Sequence, residues 1–347
     1  MVSEPVKQAV QEWVEQGRCA EFQYEHIINQ ALGNAARLVQ GRPEEIFFSK
    51  NTTHGIELFI LGYPWQAGDA VVLADCEFPA NRLPWLGLTN LGVEVRVIKT
   101  TNHGVSLAEI EQQCDSKTKV VTVSWVQYLS GQRIDLQKLG DFCHSEGIML
   151  VVDAIQGLGA VPFDAPAWQI DWVSADGHKW LCGPEGTGIV WVSQKALHKV
   201  RPACKGWAGV IEPFEFDRYD QDFAPTAARY NDGSPNLMGI MALDAALQML
   251  LEAGVGRIFN RILELSAYTM AKVRERDGFL LTPPDSQKRA GIVTFKIGDQ
   301  DSQAVWAFLK EHKVMCSVRS GWLRISTHGY NTSDDIDHAF EVIDALK

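Results

Sequence analysis

Paired cysteines are missing from this sequence. Its 347 residues hold seven cysteines, scattered singly with no CxxC. That pattern excludes a disulfide framework or thiolate zinc site read from spacing, and it fits reduced thiols in a cytoplasmic protein with no metal site. Long apolar runs are missing too: no window approaches the ~20 residues that span a bilayer. The opening stretch, "MVSEPVKQAVQEWVEQ", is amphipathic and acidic and has no apolar signal core, so no membrane partner is expected. Positive charge is short. Lysine and arginine total 32 against 43 aspartates and glutamates, a formal net charge of −11, and they form no run, which argues against nucleic acid. No internal repeat stands out. The glycine-dense "GPEGTG" at 183–188 lacks the GxGxxG order of a nucleotide fingerprint and leads into a strand rather than a helix, so it reads as a turn.

What is present is an alternation. Short β-branched runs, "AVVLAD" (70–75), "VEVRVIK" (93–99), "KVVTVSW" (119–125), "IMLVVD" (148–153), "IDWVSA" (170–175) and "TGIVWVS" (187–193), are separated by helical patterns such as "NRLPWLGLTNL" and "IDLQKLGDFCHSEG". This predicts an α/β fold, with a large domain built on a mostly parallel central sheet flanked by helices. The wholly apolar strands agree, because parallel strands are covered on both faces. After about residue 236 the rhythm changes to long helices followed by short strands and a final helix, which predicts a smaller α+β C-terminal domain. The boundaries expected are 1–20 for an N-terminal helix packing with the small domain, 21–245 for the large domain and 246–347 for the small one.

Three stretches carry chemistry. Asp153 ends the strand "IMLVVD", at the carboxyl edge where open parallel sheets bind ligands; it reads either as a ligand-facing acid or as the N-cap of a helix "AIQGLGA". Lys179, in "SADGHKWLCGPEGTG" (174–188), follows a later strand; it is either a snorkelling surface lysine or a desolvated nucleophile. Together they match what pyridoxal phosphate requires, a lysine to hold the aldehyde as a Schiff base and a carboxylate to keep the pyridine nitrogen protonated. Thr52-Thr53-His54-Gly55 opens an apolar-periodic helix, offering N–H groups and hydroxyls to a phosphate or a plain threonine N-cap.

The sequence resembles the class V aminotransferase and cysteine desulfurase-like family of pyridoxal-phosphate enzymes, of fold type I. The resemblance runs through seven collinear blocks: "NTTHGIEL", "CEFPANRLPW", "VSWVQYLSGQRIDL", "VVDAIQGLGAVPFD", "SADGHKWLCGPEGTG", "RYNDGSPN" and "VRSGWLRISTHGYNTSDDID". It implies an enzyme acting on a small L-amino acid through a Lys179 Schiff base, with Lys179 moving protons at the α-carbon. By the same resemblance Asp153 pairs with the pyridinium, Gln156, one helical turn on, bonds the phenolic oxygen, and Thr52, Thr53 and His178 serve the phosphate. Ser234 would reach the partner's phosphate across a homodimer with shared sites. Arg324 would clamp the substrate α-carboxylate, with Arg319 nearby.

The departures from the family are informative. Phe78 stands where many relatives stack a histidine on the cofactor; a phenyl ring can stack but cannot move a proton. Asp176 replaces a phosphate-binding serine and either points away or orients His178. Tyr128 stands where desulfurases often have asparagine. Arg319 and Arg324 are separated only by "SGWL", with no loop bearing the desulfurase cysteine, and Cys316 precedes them in a strand-like run, where it reads as a small buried thiol. Relatives also begin with a strand-like segment ahead of the first helix, whereas this chain starts at that helix, through truncation, a misassigned start or a differently built approach to the site. The expectation is aminotransferase-like or C–S lyase-like chemistry. The alternatives are cysteine desulfuration, epimerisation, a non-catalytic paralogue and a nucleotide-binding α/β protein.

Overall fold

A computed structural model describes residues 3–16 and 25–346. Residues 1–2 and 17–20 of the expected N-terminal segment, and residue 347, lie outside them.

The first part of the chain runs α1 (Ser3–Gln16), α2 (Glu25–Val39), β1 (Ile46–Ser49), α3 (Thr52–Gly62), β2 (Ala70–Ala74), α4 (Leu83–Leu86), β3 (Glu94–Ile98), α5 (Leu107–Gln113), β4 (Thr118–Ser124), α6 (Leu136–Ser145), β5 (Met149–Asp153), β6 (Trp172–Asp176), β7 (Gly188–Val192) and α7 (Gln194–Lys199). Its strands form one seven-stranded sheet in the order β1-β7-β6-β5-β4-β2-β3. The five from β3 to β6 are parallel, and β7 and β1 each pair antiparallel with their neighbour. The expected mostly parallel sheet is therefore present. The sequence reading omitted β1: "IFFS" is too short to show a period, and it is a strand only because β7 offers it an edge.

Two apolar layers cover the sheet. Trp125, Val152 and Leu181 belong to one; Phe59, Trp85, Val151 and Trp172 belong to the other. Every residue of β5 and β6 is buried, so the carboxylate ending each strand, Asp153 and Asp176, is delivered to the sheet's carboxyl edge largely stripped of solvent. The segment "NRLPWLGLTNL" folds as the single turn α4 between 3₁₀ turns, because Pro84 suits a first helical turn and Gly87 and Gly92 favour early endings.

The second part comprises α8 (Leu237–Ala253), α9 (Val255–Arg274), β8 (Phe279–Leu280), β9 (Ile292–Lys296), α10 (Ser302–Glu311), β10 (Ser317–Arg319), β11 (Trp322–Ser326) and α11 (Ser333–Ala345). Its four strands form a separate antiparallel sheet, β10-β11-β9-β8, over its own core of Phe295, Leu323 and Phe340. Both α1 and α2 pack against α8. No single described helix is long and apolar enough to cross a membrane.

Candidate active site

Helix α3 is pinned to the end of β6. The Ser174 hydroxyl donates to Thr52 O at 3.0 Å, the Asp176 N–H donates to the Thr52 hydroxyl at 3.1 Å, and Trp172 Nε1 donates to Gly55 O at 2.9 Å. Only glycine permits this approach at position 55, where a Cβ would stand 2.2 Å from Ser174 Oγ. The cap of α3 is not a threonine. Asn51 caps it, its side chain accepting from His54 N at 2.9 Å. Thr52 is buried and committed to β6, while the Thr52 and Thr53 N–H groups have no protein acceptor among the described residues. The N-terminus of this eleven-residue helix therefore faces a cavity with donors to spare.

That cavity, about 330 Å³, brings together Thr52, Thr53, Phe78, Tyr128, Asp153, Gln156, Asp176, His178, Lys179, Arg319 and Arg324. Strand β6 ends at Asp176, so Lys179 lies in the turn beyond it. Its Nζ stands 5.5 Å from the Phe78 ring centroid. Burial, then Arg324, lowers the ammonium's pKa, and Asp153 opposes them. Asp153 is fully buried. Loss of solvent pushes it up to about 6, against the Ile155 N–H it accepts at 3.0 Å and the charge of Lys179. A carboxyl so placed favours a cation beside it.

The sequence reading of a helix after Asp153 is wrong. Residues 154–160 form successive turns, because Gly157 and Gly159 allow close approach: a Cβ at Gly157 would meet the Trp125 ring at 2.3 Å, and Gly159 has φ of 90°. Asp153 caps a turn, not a helix, and Gln156 is not on a solvated helix face. It is buried, with Oε1 accepting from Trp180 Nε1 at 2.8 Å, which leaves its amide N–H groups for the cavity.

Asp176 does not replace serine as a phosphate donor. One carboxylate oxygen accepts from Gly177 N at 2.7 Å and the other stands 3.0 Å from His178 Nδ1. The imidazole is thereby oriented with Nε2 outward, so of the two open possibilities for Asp176 the structure shows the second.

The opposite wall comes from the second sheet. Arg319 and Trp322 face each other across the β10–β11 hairpin, and Ser317 faces Arg324. Residues 317, 319, 322 and 324 thus share one face, which brings both arginines to the cavity. The connection is only Ser320-Gly321, with φ of 50° and 77°, as a two-residue hairpin of this twist demands. It leaves no loop for a mobile cysteine. Cys316 is half-buried before β10, and burial raises its thiol to about 11. Arg324 donates through Nη1 to Tyr128 O, and its buried Nε has no partner. Arg319 is exposed at the rim.

Ser234 is not in this cavity. It is exposed in a separate groove of about 790 Å³ with Lys50, Asp232 and Trp207. That groove is larger, but its lysine, Lys50, is exposed and pairs with the exposed Asp232 at 3.3 Å, so it holds no desolvated lysine beside a buried strand-end acid. Sequence reasoning missed Glu77, which lies fully buried behind the site. The available signal was a charge set between apolar Cys76 and Phe78.

The class-V aminotransferase family model matches residues 15–338. A "Probable cysteine desulfurase" of Methanothermobacter thermautotrophicus is 30% identical over 338 residues, covering 92% of this chain and 83% of its own length. The "Uncharacterized aminotransferase YcbU" of Bacillus subtilis is 25% identical, covering 99% and 91%. Among solved structures, an apo cysteine desulfurase from Thermococcus onnurineus NA1 superposes with a TM-score of 0.88 at 25% identity, over 99% of this chain and 91% of that one. The cystine C–S lyase C-DES in complex with cysteine persulfide gives 0.91 at 21% identity, over 99% and 93%, a likeness of fold. The chain belongs to the class-V aminotransferase family.

Proposed function

We propose that this chain is a homodimeric pyridoxal-phosphate enzyme acting on a small L-amino acid, with C–S lyase-like or aminotransferase-like chemistry. The observation that carries it is Lys179 and Asp153 desolvated at one sheet edge with Arg324 across the same cavity. The residues fit the group. There is a lysine whose pKa burial lowers, a buried acid in need of a cation, spare N–H donors at the start of α3, and an orphaned Arg324 Nε suited to a carboxylate. When bound, the cofactor supplies an electron sink at the substrate α-carbon.

The protein's own part follows from placement. Lys179 holds the aldehyde and then takes the α-proton, a role its lowered pKa favours. Asp153 keeps the pyridine nitrogen protonated. Thr52, Thr53 and His178 hold the phosphate, and Phe78 stacks on the ring without moving a proton. Gln156 offers an N–H to the phenolic oxygen. Arg324 fixes the α-carboxylate and Arg319 meets the side chain. Expelling a thiol-derived group from the β-carbon needs no further acid on this list, and neither does amino transfer. Persulfide capture by the usual cysteine loop has no residue to perform it among the described ones. Ser234, remote from its own cavity, suits service at the partner's phosphate.

Purified protein given pyridoxal phosphate should turn yellow, and borohydride should fix the label to Lys179. No visible band would overturn the reading. Cystine or cysteine yielding pyruvate marks elimination, keto-acid-dependent exchange marks amino transfer, and alanine with an enzyme-bound persulfide would refute the assignment to either.

A further inference from the structure

Glu77 is fully buried, and among the described residues no lysine, arginine or histidine makes a salt bridge to it. Its Oε1 accepts from Ser124 N at 2.8 Å, and its Oε2 contacts both the Ser124 hydroxyl and Asn81 Nδ2, the latter at 2.9 Å. The polarity of this network is fixed from outside. Trp85 Nε1, which can only donate, points at Asn81 Oδ1 at 3.2 Å, and the Thr122 hydroxyl donates to the same oxygen at 2.7 Å. Asn81 therefore presents its NH₂ to Glu77 and cannot flip. With Ser124 N also obliged to donate, a proton on Glu77 has one place to stand, the contact with Ser124 Oγ. Ser124 ends β4 directly opposite Asp153 on β5, and the two side chains share a face of the sheet.

We propose that Glu77 is a positioning residue for the cofactor end of the site, setting the charge balance at Asp153 through the Ser124 hydroxyl. This rests on the functional reading above only for its consequence on a bound cofactor. Two buried carboxyls that feel each other's charge resist ionising together. Burial raises Glu77 to about 7, against three hydrogen bonds, and the charge of Asp153 adds to the rise. Asp153 has Lys179 to favour its ionised form and ionises first. When Glu77 follows, it adds negative charge behind Asp153 and strengthens that edge's hold on a cation. The other titratable groups facing the cluster are Lys179 beyond Asp153 and, on Glu77's own segment, Asp75, Cys76 and Arg82. Strand β4 contributes only the hydroxyls of Thr122 and Ser124.

The geometry dictates the test. Glu77→Gln alone sets an NH₂ against either Asn81 Nδ2 or Ser124 N and should destabilise the protein. The pair Glu77→Gln with Asn81→Asp exchanges donor and acceptor, restores the network and moves the charge one hydrogen bond further from Asp153. In the holoenzyme the double variant should keep its cofactor, while the pH midpoint of the visible band falls by about half a unit or more as negative charge recedes. In the cofactor-free protein, the pH at which the stability gain from Asp153→Asn levels off, which the folded-state carboxyls set, should fall in the same way. A restored melting temperature with both midpoints unmoved would reduce Glu77 to packing and overturn the proposal. Should the double variant not fold, Ser124→Ala carries the test with the same expected direction, and an unmoved midpoint there is equally fatal. Failure of the wild-type chain to take up pyridoxal phosphate would sink the functional reading, and the cofactor-free arm would still decide this one.

Discussion

The wall that carries Lys179 and Asp153 is made of two strands buried along their whole length and the turn beyond one of them, whereas the wall opposite, carrying Arg319 and Arg324, is the tip of a hairpin in a four-stranded sheet. The first holds its charges at the cost of their solvation: Asp153 rises to about 6 and the pKa of Lys179 falls. The second keeps Arg319 in water and desolvates only Arg324. A rigid wall with perturbed groups suits fixed chemistry, and an open one suits choice among substrates. Replacing Lys179 with alanine tests the first wall most severely. It removes the group proposed as both anchor and base, so turnover should fall by at least ~10³-fold, and the borohydride-stable label should vanish while the fold persists by circular dichroism.

On the second wall, Arg324→Lys should cost on the order of 10²-fold in kcat/KM, because an ammonium cannot reproduce the planar fork on a carboxylate. Arg319→Gln should be milder and selective. The KM for substrates with an anionic side chain should rise roughly tenfold, the value of one exposed charge-assisted contact, with little change for alanine. Equal losses for both substrates would show that Arg319 serves the α-carboxylate too and would remove the contrast between the arginines.

The contrast between the walls also explains what was legible in the sequence. Asp153 could be found because a buried parallel strand reads as an unbroken apolar run, so a carboxylate ending "IMLVVD" stands out, and pairing it with Lys179 set the ligand-facing reading beside the bland one of a helix N-cap. Lys179 showed for the same reason. The turns after Asp153 did not, since they depend on Trp125 lying against Gly157, a contact across 32 positions of chain. Asn51 as the cap of α3 was masked by the threonines beside it. Ser320-Gly321 was visible only as a short spacing, and its consequence, both arginines on one face, needed the register. Glu77 was hidden because its partners Ser124 and Asn81, and the Trp85 and Thr122 that fix Asn81, meet only once β4 lies beside the 79–86 turns.

The buried acid makes a prediction of opposite sign for stability and function. With its pKa held at about 6, above the ordinary carboxylate value, the folded protein keeps the Asp153 proton after the unfolded chain has released it. Unfolding then releases a proton between pH ~4 and ~6, so this group erodes stability as pH rises through that window and leaves a constant deficit above it. Asp153→Asn should therefore match the wild type near pH 4 and exceed it at pH 8 by about 3 kcal/mol in the cofactor-free protein, while cofactor affinity and turnover drop. Denaturant titrations at both pH values check it; a variant less stable at pH 8 would mean that Lys179 outweighs desolvation.

The smallest expected effect concerns the residue that links the rigid wall to the segment that follows the second sheet. Trp180 donates its indole N–H to Gln156 and stacks on His328, with ring centroids 5.5 Å apart. Trp180→Phe keeps a ring against His328 but strips Gln156 Oε1 of its donor inside a dry pocket, which costs about 1–3 kcal/mol. The lost indole ring volume adds to that within the same range. Melting should drop by several degrees. Because Gln156 is then free to rotate and turn its amide oxygen towards the cavity, cofactor affinity should weaken a few-fold with turnover of the loaded enzyme nearly intact. If affinity holds while stability falls, Gln156 is part of the packing and not of the binding wall, and its place beside the phenolic oxygen is lost.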